Sequence, residues 1–252
     1  MTILLKQIIT PDPAPFRRNY AYLGDPRANR PAGMPFDSAC QEQERWYEHE
    51  YADRKDIEVN LEQLTLVQDY HLQNANPLML RTPSGPMEFR ATGIRNLCSL
   101  IGVPFDFVRE LPSEYAVRDI NYMLRRAGSK QIKLRTAIGG TNIRGCRERN
   151  VRAIVSPRYA EHDLPHLLET VGDALDRAGI AKETSVMEAH IGKTTRLWLT
   201  LSPQMRGADG YPVTPGIKLR NGESGNSAIG IDPGFLRTIC TNGLIHHDAA
   251  KG

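Results

Sequence analysis

Between Arg118 and Arg158 the chain carries eleven cations: Arg118, Arg125, Arg126, Lys130, Lys133, Arg135, Arg144, Arg147, Arg149, Arg152 and Arg158. Only two acids, Asp119 and Glu148, accompany them. The segment is therefore +9 in a chain whose total is +3, and the remainder is net acidic. Planar guanidinium groups donate in pairs, so arginines at this density suit phosphate oxygens. Lys133 and Arg135 alternate and so share one face of a strand. Arg125 and Arg126 end a helix, where cations complement the helix dipole without any ligand. Tyr115, Tyr122 and Tyr159 flank the segment, and grooves for single strands combine cations with such stacking surfaces. The candidate nucleic-acid contacts are Arg125, Arg126, Lys133, Arg135, Arg144, Arg147, Arg149, Arg152, Arg158 and Tyr159. The competing reading is a solvated basic face with acid partners inside the molecule.

Other residues are of types that catalyse. "GFLRTICTNGLIHH" holds Cys240, an Asn-Gly pair and His246-His247. Asn-Gly is a turn signal, and adjacent histidines in an extended segment diverge. With no CxxC, HxH or HExxH spacing, this stretch reads as strand, turn and tail, with Cys240 facing the core. Glu188 and His190 alternate on one strand face, an acid/base or metal pair that His246 would extend. Glu161, His162 and Asp163 imitate a metal cluster, but Asp163 is accounted for as a helix cap. Neither GxxxxGK[ST] nor GxGxxG occurs, which argues against a nucleotide-driven motor, and no cofactor is expected. The four cysteines are too widely spaced for a zinc ribbon or a disulfide framework.

Six prolines among residues 11 to 37 argue against a regular element there. Phe16, Tyr20 and Tyr22 lie within this stretch. It reads as an extended arm that drapes over its own domain or reaches a neighbouring subunit. The charged run from Cys40 to Asp56 fits a solvated helix. Ile57, Leu61, Leu64 and Val67 recur at three or four residues and predict an amphipathic helix. A hairpin about Pro83-Ser84-Gly85-Pro86 follows, then a helix capped by Thr92 and stopped by Gly102. A short helix closes at Leu111-Pro112. The next, capped by Ser113, aligns Val117, Ile120 and Leu124 and ends at Gly128. Strands over 130–138 and 150–156 precede a helix from Asp163 to Gly179. A hairpin about Gly192-Lys193 and two further strands complete the chain.

This order predicts an α+β fold: an antiparallel-rich sheet with packed helices, preceded by a Pro-rich extended arm and a helical segment. The boundaries read as 1–55 (arm and polar segment), 56–128 (mainly helical) and 129–252 (sheet region). Residues 56–252 as one domain is the alternative. No run of eighteen apolar residues exists, so no membrane partner is expected. "MTILLKQIIT" is too short for a signal peptide, and cytoplasmic residence is the default.

Three segments carry a family likeness: "FRATGIRNLCSLIGVPFDFVRELP", "RAIVSPRYAEHDLPHLLETVGDAL" and "LRNGESGNSAIGIDPGFLRTICTNGL". Over roughly residues 80 to 245 the chain resembles a phage- and plasmid-associated family whose domain is of unknown function. The Arg-x-x-Cys-Thr-Asn-Gly ending is the most specific match. The resemblance implies a mobile-element origin and no established activity. The leading expectation is a non-enzymatic protein that binds single-stranded nucleic acid. Strand annealing enters by analogy of element order with phage annealing proteins, and homo-oligomerisation through the arm is expected. A metal-dependent nuclease using Glu188, His190 and His246 is the runner-up, and an assembly protein the third reading.

Overall fold

The computed structural model describes residues 16–19, 33–68, 78–139, 148–191, 194–201, 205–206, 210, 212–222, 224–225, 227–238 and 245–249. In chain order these form β1 (Phe16–Asn19), β2 (Met34–Pro35), α1 (Phe36–Glu50), β3 (Ala52–Asn60) and β4 (Thr65–Gln68). The hairpin β5 (Leu78–Thr82) and β6 (Gly85–Phe89) leads to α2 (Ala91–Leu100), α3 (Phe105–Glu110) and α4 (Ser113–Ala127). Then come β7 (Gln131–Ile138), β8 (Arg149–Val155), α5 (Leu164–Arg177), β9 (Ser185–Ile191) and β10 (Thr195–Thr200). The last strands are β11 (Met205–Arg206), β12 (Pro212–Gly222), β13 (Ser227–Thr238) and β14 (Ile245–Ala249). The fold is α+β and its strand pairs are antiparallel, except that β6 and β8 run parallel.

The described chain forms two compact units. One comprises residues 47–160, the other residues 16–46 with 161–249. The split coincides with neither 55/56 nor 128/129, because pairing ignores those boundaries. The "helical region" contributes four strands to the first unit's sheet, of order β3-β7-β8-β6-β5-β4. The amphipathic helix expected over residues 57 to 67 is absent. Instead β3 runs to Asn60, a single 3-10 turn spans Leu61–Gln63, and β4 follows. Ile57, Val59, Thr65 and Val67 are β-branched and favour a pleated surface. Seven register pairs with β7 then override the local period. Leu61 and Leu64 remain core residues, reached by the turn rather than by a helix face.

In this unit α2, α3 and α4 cover one face of the sheet, burying Ile94, Leu97, Val108, Ile120 and Leu124 against Leu66, Leu80, Phe89, Leu134 and Ile154. Arg90, rather than Thr92, holds the N-cap position of α2. Its backbone N–H is tied to the Val151 carbonyl at 2.9 Å, so the helix springs directly from the sheet. α4 begins at Ser113 itself, with Pro112 before it.

The second unit holds an eight-stranded sheet whose main order is β1-β9-β10-β12-β13-β14, with β2 and β11 pairing β9 and β12. From the arm, Phe16–Asn19 adds to the edge of β9. Tyr20, Tyr22 and the remaining arm residues up to Pro31 lie outside the described residues. The first part of α1, residues 36 to 46, belongs here, and it buries Phe36, Ala39 and Gln43 rather than being solvated all round. α5 buries Leu164, Leu167, Leu168 and Leu175.

Candidate nucleic-acid interface

α4 is amphipathic, and its outer face is unusual. Ser113, Ala116, Ile120 and Leu124 are buried. On the opposite side Tyr115, Arg118, Tyr122 and Arg125 follow one another at three- and four-residue intervals, and Arg126 lies four residues past Tyr122, which is neighbour spacing on a helix. Tyr115 is 45% and Tyr122 54% exposed, large values for aromatic rings. The Arg118 guanidinium stands 5.1 Å from the Tyr115 ring centroid, and that of Arg126 stands 5.9 Å from Tyr122. Arg118 also donates to Asp119 at 2.8 Å, and that hydrogen bond raises its pKa further. Glu114 is the other acid on the exposed side.

Rotation of the helix about its axis is fixed by Asn121. Its carboxamide accepts from the Leu66 N–H at 2.7 Å and donates to the Leu66 carbonyl at 2.8 Å. Leu66 lies on β4, at the sheet edge, where both backbone groups would otherwise lack a strand partner. One side chain thus closes the edge and holds the Tyr/Arg stripe outward. Beyond α4, Lys130 and Arg158 are exposed as well.

The rest of the basic segment is turned inward. Arg135 is 1% exposed and its Nε donates to Asp56 Oδ1 at 3.2 Å, with the guanidinium 5.1 Å from the Tyr159 ring. Arg152 is buried, donates to the Tyr47 hydroxyl at 3.1 Å and lies 5.2 Å from the Tyr51 ring. Arg149 is half-buried, pairs with the Asp53 carboxylate, and donates to the Asp53 carbonyl at 2.8 Å and to Thr136 Oγ1 at 3.0 Å. Asp53 has φ +46, so Arg149 secures a strained turn of β3. Lys133 donates to the Tyr159 carbonyl at 3.2 Å. These four cations and Tyr159 brace the sheet. Of the ten candidate residues, Arg125, Arg126 and Arg158 stand exposed, and Arg144 and Arg147 lie outside the described residues. Arg118, Tyr115 and Tyr122 join the exposed set. The signal for them was the helical period opposite Val117, Ile120 and Leu124.

The other candidates do not converge. Glu188 and His190 lie two apart on β9, in register with Trp198 and Arg196. His246, on β14, is in register with Arg237 of β13. Four inter-strand steps separate β9 from β14, about 19 Å across the sheet, too far to share a metal. Their side chains, and all of Cys240, lie outside the described residues. Among the described residues no group of three or more His, Cys, Asp or Glu side chains is disposed to hold a metal. The His162 and His166 rings stack with centroids 4.9 Å apart at the start of α5. Burial pushes the Cys98 thiol up to about 12, and burial with Glu44 and Asp37 does the same for Cys40. Both stay protonated near neutrality and are poor nucleophiles. No helix among the described residues is long and apolar enough to cross a membrane.

Comparison with protein-family models, curated proteins and solved structures gives no match.

Proposed function

We propose that this protein binds single-stranded nucleic acid through the outer face of α4. The observation that supports the reading is the exposed Tyr115-Arg118-Tyr122-Arg125-Arg126 stripe, with two rings open to solvent and two guanidinium groups beside them. Arginine offers phosphate oxygens paired donors, and tyrosine offers any base an aromatic face. Neither needs a reacting group, so the activity is binding rather than turnover. A phage or plasmid setting, and strand annealing as the use made of binding, follow from the family likeness and from element order. The arm is the proposed tie between copies: the strand Phe16–Asn19 adds to the β9 edge, and a neighbouring copy's arm can make the same addition. Fluorescence anisotropy against labelled single-stranded DNA, single-stranded RNA and duplex DNA at several salt concentrations tests the proposal. Single strands are expected to bind at low salt and to dissociate as salt rises.

A further inference from the structure

Resting on that reading, we infer that Tyr115 and Tyr122 are two separate base platforms, each taking a different base by its open face, and that this selects single strands over duplex. Each ring has a guanidinium on one side, Arg118 for Tyr115 and Arg126 for Tyr122, and remains about half exposed. The cation holds the ring and leaves surface for a base. The unit occurs twice along α4, seven residues apart, which is about 10 Å along the helix axis. Neighbouring bases in a stacked strand rise only about 3.4 Å. The two rings are therefore too far apart to grip one base between them, and each serves the open face of a different base. Duplex bases already have neighbours above and below, so only an unpaired strand can present free faces. The guanidinium groups beside each ring meet the phosphates of the strand that the bases hang from, which supplies the charge complementarity.

The test compares a fluorescein-labelled oligothymidylate with an abasic strand of equal length, using the full chain. The wild type is expected to prefer the thymidylate by at least about tenfold, since each base–aromatic stack contributes about that much. Tyr115→Ala/Tyr122→Ala is expected to bind both strands alike, and Tyr115→Phe/Tyr122→Phe to restore the preference. Both rings are exposed, and a thermal melt confirms that the alanine variant is folded. Equal wild-type affinity for the two strands overturns the platforms while leaving nucleic-acid binding in place. A preference that survives in the alanine variant moves the bases elsewhere and also overturns the inference. Failure to bind either strand at low salt removes the underlying reading and the inference with it.

Discussion

Arg135→Met separates a scaffold role from a binding role most cleanly. Arg135 is 1% and Asp56 11% exposed, and their contact is 3.2 Å. Among the described residues the second Asp56 oxygen has no hydrogen-bond partner, so the guanidinium is what holds this carboxylate. Removing one member of a buried pair costs about 3–5 kcal/mol, because the other charge is stranded. For a unit of this size that corresponds to a fall of about 10–20 °C in Tm. The second variant, Asp56→Leu/Arg135→Met, removes both charges and is expected to recover more than half of the loss, since apolar replacement of a whole pair is often near neutral. Circular dichroism against temperature and urea gives the stabilities. Anisotropy well below Tm gives the affinity for a single-stranded oligonucleotide, expected to stay within about twofold of wild type. A wild-type melting curve with a large loss of binding would refute the assignment of Arg135 to the scaffold.

Asn121→Leu is expected to destabilise by about 1–3 kcal/mol, because the Leu66 N–H and carbonyl lose their only described partner; an unchanged urea midpoint contradicts the edge-closing role. The Cys98 thiol is raised by burial from 9.0 to about 12, so its contribution is fully present below about pH 9 and is lost as pH rises toward about 12. The stability difference between wild type and Cys98→Ala should therefore shrink above pH 9, and parallel pH curves from 8 to 10.5 contradict this. Removing residues 1 to 32, which stops short of buried Phe36, is expected to lower the mass measured by light scattering. An unchanged oligomeric state, or a monomeric parent, ends the role proposed for the arm.

Much of the fold was written in local signals. Gly102, Gly128 and Gly179 were read as helix stops, and their φ values of +72°, +66° and +69° show why glycine sits there. The segment at residues 57 to 67 misled because a strand, a turn and a strand placed Ile57, Leu61, Leu64 and Val67 at helical intervals by coincidence. Only pairing with β7, more than seventy residues away, decides the matter. The basic segment misled for a related reason. The acids that neutralise Arg135 and Arg149 are Asp56 and Asp53, 79 and 96 positions upstream, so a local charge count could not see them. Tyr159 and Arg152 likewise look like surface chemistry in sequence and brace the sheet in three dimensions. The α4 stripe was legible only in part: Arg125 and Arg126 stood among the candidates, while Tyr115, Arg118 and Tyr122 did not, although the helical period carried the signal. Once Ile120 and Leu124 define the buried side, the helical period places Tyr115, Arg118, Tyr122 and Arg125 on the other.

The central claim is that α4 meets the phosphates, and the slope of log K against log salt tests it most directly. Each phosphate neutralised on a single strand contributes about −0.7 to that slope. Arg118→Ala/Arg125→Ala/Arg126→Ala removes three exposed cations from one helix face, where substitution costs little stability. The wild type is expected to bind a single-stranded oligonucleotide at low salt, with the triple variant weaker and its slope shallower by about 2. A variant that binds as tightly as wild type with the same slope, or a wild type that fails to bind at low salt, contradicts the account.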